Sequence, residues 1–182
     1  NHPDAQKDGS GLYVLKENAG SGKAVGEMAD NPFVAIEYTV TDLEGNITET
    51  TDAKLSQQLG TYSETGYYGP VILMRGANQM KAGMEMMIEG MKAGGTKTAA
   101  VPGWFDTKYR FNNVEDYFTE ISGTDYIYTV KVDEVVSNLN SYQIDSIENY
   151  IRKNLKVSPD SLMYGYYYIQ TKAPVDTATI DP

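Results

Sequence analysis

Cysteine is absent from this chain of 182 residues, and histidine occurs once, at His2. A chain without cysteine has no disulfide, no thiolate metal ligand and no cysteine nucleophile, although its cellular compartment stays open. Because the one histidine lies near the start, His-based catalytic triads and His-ligated metal sites are not expected. No apolar run approaches the length of a transmembrane helix. The sequence therefore predicts neither a metal ion nor a cofactor.

Positive charge is also scarce, with 15 basic against 25 acidic residues and a formal net charge of -10. Such a surplus of acid repels phosphate backbones and anionic lipid headgroups, so we expect no nucleic-acid partner. The acidic residues are spread along the chain, which is typical of a solvated surface. The glycine-rich stretches lack the spacing of a phosphate-binding loop, and the scattered carboxylates do not form a calcium loop.

The remaining composition is that of a folded domain, with 41% hydrophobic and 22% charged residues. The length suits one domain and an appendage. We expect a flexible leader at residues 1–10, a main domain at 11–137 and a C-terminal segment at 138–182. The chain begins with Asn1 rather than Met, which favours a removed signal or an expression cut and hence a mature exported domain.

Alternating and β-branched runs predict strands at residues 12–17, 33–43, 47–51, 71–74, 96–101 and 125–136. The second and third of these are joined by a Gly-Asn turn and should form a hairpin. Residues 52–70 are predicted to be a long loop or a bulged edge. A methionine stripe from Met80 to Met91 predicts one helix that packs on the core and ends at Gly94 and Gly95. Together these elements predict an α+β fold.

The last part of the chain predicts an appendage of one helix and one strand. An amphipathic helix fits residues 143–154, with Asn140 or Ser141 as its N-cap. A tyrosine-rich strand at 165–170 is similar to residues 11–16, so it is either an independent strand or the start of a second copy of the domain. Docking of this helix and strand on another subunit would produce a homodimer.

Three sequence blocks, VAIEYTVTDLEGNITETT, GMEMMIEGMKAGGTKTAAVP and YIYTVKVDEVV, follow one another within the main domain. In order and spacing they resemble the FKBP-type peptidyl-prolyl cis-trans isomerases, as a divergent member of the bacterial exported lipoprotein type. The resemblance implies a twisted antiparallel sheet wrapped around a short helix, with an apolar cavity for a proline ring. It also implies weak or selective isomerisation of X-Pro bonds without a cofactor, so proline-containing polypeptides are the expected partners.

The resemblance further implies a location in the periplasm or at the outer membrane of a Gram-negative bacterium. Membrane contact would then occur only through a lipid anchor that has been removed. Carried over position by position, the family's pocket keeps its strand tyrosine as Tyr38 and its last-strand aromatic as Tyr128, while its carboxylate becomes Glu49. These three are the implied catalytic residues. The implied substrate-binding residues, most of which depart from the family, are Thr48, Met80, Lys81, Met84, Trp104 and Phe105.

The most serious departure is Met84, which stands where the family has a tryptophan on the pocket floor. It favours an alternative function, a non-catalytic binding or chaperone module for exported proteins. In that case the loop at residues 52–70, with Tyr62, Tyr67 and Tyr68, would be the recognition surface. Trp104 could supply the missing aromatic surface or simply cap the end of the sheet. Glu49 and Lys81 likewise fit either a pocket or a solvated surface.

Overall fold

The computed structural model describes residues 5–26, 33–77, 79–107, 123–156, 161–163 and 166–168. The chain divides into two compact units, Asn1–Ser137 and Asn138–Pro182. The first unit contains the large sheet, and the second contains a helix and a two-stranded hairpin.

The first unit is built on one antiparallel sheet, in the order β1-β2-β6-β7-β3-β4, with β5 paired to β3 beyond the end of β4. Its strands are β1 Gln6–Lys7, β2 Tyr13–Asn18, β3 Phe33–Thr41, β4 Ile47–Thr50, β5 Val71–Met74, β6 Thr96–Val101 and β7 Tyr126–Val136. The two longest strands, β3 and β7, pair from Phe33↔Val136 to Thr41↔Ile127, with a bulge between Ala35 and Ile36. The predicted α+β class, dominated by an antiparallel sheet, is confirmed.

The two faces of β3 explain why this sequence forms a central strand. Val34, Ile36 and Val40 belong to the buried core. On the alternate face Thr39 shares a hydrogen bond of 3.0 Å with Thr50 of β4. Ala35 is also buried, so the two-residue period applies after the bulge, from Ile36 to Thr41, where it fixes which face of the strand joins the core.

The sheet packs against α2, Ala82–Ile88, which contributes Met84, Met87 and Ile88 to the core. The methionine stripe therefore faces the core as predicted. The helix is shorter than the stripe, however, because the backbone turns extended at Glu89 and Gly90 adopts a φ of 72°. Its end thus precedes the predicted one at Gly94 and Gly95. Met80 and Met91 lie outside the helix but are buried all the same.

Two elements of the first unit depart from the sequence predictions. A short helix, α1 (Ala53–Gln58), occupies part of the predicted loop, and its N-cap Asp52 accepts a hydrogen bond of 2.9 Å from the Leu55 amide. It has only weak periodicity, so its capping residue was the available signal. At the other end, β1 pairs with β2 and brings ordered backbone into the segment for which the sequence predicts a flexible leader. Residues 1–4 of that segment lie outside the described residues.

The second unit begins with α3, Leu139–Tyr150, which continues as a π-helical turn over Ile151–Leu155. The helix begins earlier than predicted because Asn138, rather than Asn140 or Ser141, caps it by accepting a hydrogen bond of 3.0 Å from the Ser141 amide. Two strands, β8 (Ser161–Met163) and β9 (Tyr166–Tyr168), then form an antiparallel hairpin. Within the described ranges, none of the helices has the length and apolarity needed to span a membrane.

Candidate functional site

Three tyrosines mark one region of the core face of the sheet, next to α2. Tyr128 of β7 has no exposed surface, whereas Tyr38 of β3 and Tyr126 of β7 are partly buried and pack against the core. The strand register places Val40 opposite Tyr128 and Tyr38 opposite Val130, so Tyr38 and Tyr128 are near neighbours on the same face. The region bounded by these three tyrosines and the start of α2 is called the tyrosine hollow below. It is closed in this structure, since Tyr128 at its centre has no exposed surface.

Lys81 lies at the mouth of this hollow, in the position that precedes α2. Its ammonium nitrogen is 3.0 Å from Glu49 Oε1 and 3.0 Å from Asp106 Oδ1. The same nitrogen lies 6.0 Å from the ring centroids of both Tyr126 and Tyr128, within reach of a cation–π attraction. We call Glu49, Lys81 and Asp106 the rim network. It joins β4, the start of α2 and the turn that follows β6.

Asp106 connects the rim network to the buried ring of Tyr128. The Tyr128 hydroxyl donates a hydrogen bond to the Asp106 carboxylate. The aspartate ends a single 3-10 turn, Gly103–Phe105, where its amide donates to the Gly103 carbonyl at 3.0 Å. Asp106 is not among the site residues that the sequence predicts. A signal was available, since the Pro-Gly-Trp-Phe-Asp stretch follows a strand and turns the chain back toward the sheet.

The protonation states of the hollow follow from burial and from these contacts. Burial raises the pKa of the Tyr128 hydroxyl, and the bond to Asp106 raises it further. Burial and then the Glu49 charge raise the pKa of Tyr38. Burial alone would lower the pKa of Lys81, but its bonds to Glu49 and Asp106 outweigh that effect and raise it. At neutral pH both tyrosines are therefore neutral hydroxyls and Lys81 is a cation.

The other residues that the resemblance implies are distributed around this centre. Met80, Met84 and Phe105 are buried in the core. Trp104 is half-buried and stacks on Phe105 with ring centroids 4.1 Å apart. Thr48 is exposed, and its hydroxyl donates to the Val40 carbonyl at 3.3 Å. The structure thus brings Tyr38, Glu49, Lys81 and Tyr128 together, whereas Met80 and Met84 are buried in the hydrophobic core.

Two clefts lie beside the hollow, and Tyr38 borders both. A groove of about 350 Å³ runs past β4 and α1 and is lined by Thr48, Glu49 and Leu59 among others. A larger cleft of about 510 Å³ is lined by charged and hydroxyl side chains, including Glu37, Lys54 and Lys131. Over the described part of the chain, no cluster of three or more His, Cys, Asp or Glu residues is suited to hold a metal ion.

The loop after α1 presents further tyrosines. Tyr62 and Tyr68 stack with ring centroids 5.1 Å apart, and the Tyr68 hydroxyl accepts a hydrogen bond of 2.9 Å from the Ser63 amide. The Tyr67 hydroxyl donates to the Pro70 carbonyl at 2.9 Å, yet the residue remains 72% exposed. The loop therefore holds an aromatic side chain in solvent by means of its own contacts.

Several solved structures are similar to this chain, whereas no family model and no curated protein matches it. FkpA from Escherichia coli is 15% identical with a TM-score of 0.45, over 72% of this chain and 51% of FkpA. AtFKBP13 is 13% identical with a TM-score of 0.44, over 70% of this chain and 95% of that one. A peptidyl-prolyl cis-trans isomerase from Pseudomonas syringae pv. tomato is 11% identical with a TM-score of 0.45, over 72% of this chain and 80% of that one.

AtFKBP13 bears the FKBP name, and the Pseudomonas protein is named as a peptidyl-prolyl cis-trans isomerase. The chain spans about half the length of FkpA.

Proposed function

We propose that the first unit is a weak and selective peptidyl-prolyl cis-trans isomerase that acts on X-Pro bonds of protein substrates. The observation that carries this proposal is the tyrosine hollow beside α2, with the Lys81 side chain held at its mouth by Glu49 and Asp106. The neutral hydroxyl of Tyr38, which borders both clefts, is a hydrogen-bond donor at the same place.

The chemistry needs little more than such a hollow. Rotation about an amide bond costs roughly 18–20 kcal/mol because resonance is lost, and X-Pro bonds isomerise over tens of seconds or longer without a catalyst. A protein accelerates the rotation when it binds the twisted amide better than either planar form. The twisted amide has less charge separation than the planar amide, so an aromatic wall shielded from water favours it. Tyr126 and Tyr128 provide this wall, and Tyr38 can donate to the substrate backbone.

The rim network explains why the activity should be weak. Tyr128 has no exposed surface, and the Lys81 ammonium lies 6.0 Å from its ring centroid, so a proline ring reaches Tyr128 only after the side chains that cover it, Lys81 among them, move. Moving it breaks the contacts with Glu49 and Asp106. Because the three side chains are between 15% and 46% exposed, each ion pair contributes only about 0–1 kcal/mol. An opening cost on the order of 1–2 kcal/mol would reduce the apparent affinity for a prolyl peptide by about tenfold.

A proline-containing tetrapeptide with a conformer-sensitive chromophore tests the proposal. We expect the wild-type chain to isomerise it faster than buffer at micromolar concentration. Lys81→Met should be faster because it removes the two ion pairs that hold this side chain at the mouth of the hollow, and Tyr38→Phe should be slower because it removes a donor. Lys16→Met, on the exposed face of β2, is the matched control and should leave the rate unchanged. A rate equal to that of buffer for both the wild type and Lys81→Met would refute catalysis.

A second candidate function is a non-catalytic binding or chaperone module for exported proteins. The specific observation in its favour is Tyr67, which the loop after α1 holds in solvent. Exposed aromatic side chains on a structured loop can contact apolar segments of unfolded proteins. Aggregation of a chemically unfolded protein, followed by light scattering, should be suppressed by the wild type and less by Tyr67→Ala. Tyr13→Ala removes a tyrosine that is 41% exposed on β2 and serves as the control. Equal suppression by all three proteins would exclude the loop surface.

The expected location in the periplasm or at the outer membrane, the removed lipid anchor and the homodimer through residues 138–182 stay predictions. Sedimentation of the full chain at high concentration tests the homodimer. A strict monomer would remove it.

A further inference from the structure

The rim network has more negative than positive charges, and this imbalance affects which prolyl bonds can bind beside it. Counted at formal charges, Glu49 and Asp106 contribute two negative charges and Lys81 one positive charge, which leaves a net charge of -1. The hydroxyls of Tyr38 and Tyr128 are neutral. The mouth of the hollow is thus electronegative as far as the described residues determine it.

The two carboxylates are not equally available to a ligand. Asp106 is 15% exposed and already accepts hydrogen bonds from Lys81 and Tyr128 on one oxygen. Glu49 is 46% exposed, and the bond that the structure shows to it comes from Lys81, on Oε1. A carboxylate can accept about four hydrogen bonds, so Glu49 has capacity for a second cationic donor. It also lines the groove beside β4, which Tyr38 borders and in which an extended chain could lie.

Resting on the proposed function, we infer that the rim network selects prolyl bonds preceded by a cationic residue, so that Lys-Pro and Arg-Pro segments are preferred over Glu-Pro segments. With the proline ring beside Tyr38, in the groove that Glu49 also lines, the side chain of the preceding residue comes within reach of Glu49. A lysine or arginine there donates to Glu49, and the guanidinium of arginine can do so in a bidentate manner. A glutamate at the same position meets a net negative charge and would bind only by competing for Lys81.

The size of the preference follows from the partial exposure of the rim. A partly exposed ion pair changes binding by a factor on the order of five, and repulsion of the acidic peptide adds a similar factor. We therefore expect the lysine peptide to exceed the glutamate peptide by roughly fivefold to twentyfold at low salt, with the leucine peptide between them. Because exposed charges are screened by salt, the ratio should shrink at high ionic strength.

Three tetrapeptides that differ only in the residue before proline, Lys, Leu or Glu, test the inference in the full chain. Both kcat/KM for isomerisation and the Kd from Trp104 fluorescence should be measured for each. Glu49→Gln neutralises the rim and should bring the Lys-to-Glu ratio close to one. Lys81→Met makes the rim more negative and should increase the ratio. Glu17→Gln, which changes the net charge of the chain by the same amount on β2, should leave the ratio as in the wild type.

The outcomes separate this inference from the proposed function. Isomerisation at equal kcat/KM for all three peptides would overturn charge selection while leaving the isomerase intact. Preferential binding of the lysine peptide without any isomerisation would support the selection and refute the catalysis. If the Lys-to-Glu ratio falls equally in Glu17→Gln and Glu49→Gln, the preference comes from the overall charge of the chain. That result would overturn the role of the rim network.

Discussion

Tyr128→Phe tests the link between the buried core and the rim network, because it removes one hydroxyl and leaves the ring in place. The ring has no exposed surface, and its hydroxyl donates to Asp106. A hydrogen bond to a charged partner contributes about 1.5–3 kcal/mol to stability. Since Asp106 keeps Lys81 at 3.0 Å and is 15% exposed, it retains a partner and some access to water. We therefore expect a loss at the lower end, about 1.5 kcal/mol.

Thermal unfolding followed by Trp104 fluorescence measures this loss. Trp104 is the one tryptophan of the chain and stacks on Phe105 in the first unit, so it reports on that unit. For a unit of this size, Asn1–Ser137, a loss of 1.5 kcal/mol lowers Tm by about 5 °C. Tyr13→Phe is the matched control, because Tyr13 is 41% exposed and its hydroxyl should contribute less than about 0.5 kcal/mol.

The raised pKa of Tyr128 adds a dependence on pH. An unfolded tyrosine loses its proton near pH 10, whereas folded Tyr128 holds it to higher pH. The unfolded state therefore binds fewer protons above pH 10, and the free energy of unfolding falls as pH rises, by at most about 1.4 kcal/mol per pH unit for one group. Tyr38 and Lys81, whose pKa values are also raised, contribute to the same decline.

In Tyr128→Phe the alkaline decline should be shallower than in the wild type, and in Tyr13→Phe it should be unchanged. The reasoning is refuted if Tyr128→Phe is as stable as the wild type at neutral pH and the two proteins lose stability in parallel above pH 10.

Three further substitutions test the packing and the capping. Gly83→Ala places a Cβ 2.4 Å from Cγ1 of the buried Val101, so overpacking of about 1–3 kcal/mol should outweigh a gain near 1 kcal/mol in helix propensity. Urea denaturation measures the change in the free energy of unfolding. A more stable variant would contradict the close packing of α2 on β6. Asp52→Ala should cost about 1 kcal/mol and speed amide exchange at Leu55, whereas unchanged exchange would exclude the cap. Met87→Ala, at a position with no exposed surface, should cost about 2–5 kcal/mol in the same urea assay, and a loss below that range would argue against a close-packed core.

The long elements were predictable because their burial has a simple period. Ile36, Tyr38 and Val40 alternate with polar residues along β3, and the methionine stripe repeats at helical spacing, so each pattern indicates which side faces the core. The end of α2 was less predictable, since the sequence offers glycines at 90, 94 and 95 and each can terminate a helix. Contacts elsewhere in the fold decide which of these glycines is used.

The short elements could not be predicted from periodicity. β1 is two residues long and exists through its pairing with β2, and α1 has six residues, too few to be stable alone. In α3 the choice among Asn138, Asn140 and Ser141 as the cap was likewise open in the sequence, and the fold places Asn138 at the Ser141 amide. The ends of such helices and strands depend on hydrogen bonds that contribute about 1 kcal/mol each. Differences this small cannot be read from the local composition of the sequence.

By itself the sequence determined that Tyr38 and Tyr128 lie on core-facing positions of long strands, because side-chain alternation follows directly from residue spacing. It could not determine that Lys81 bridges Glu49 and Asp106, or that Asp106 holds the Tyr128 hydroxyl. Lys81 and Glu49 are 32 residues apart along the chain, and Tyr128 and Asp106 are 22 apart. These residues meet because the sheet, the start of α2 and the turn after β6 converge. Charge pairing of this kind depends on distances of a few ångströms, which the tertiary structure alone sets.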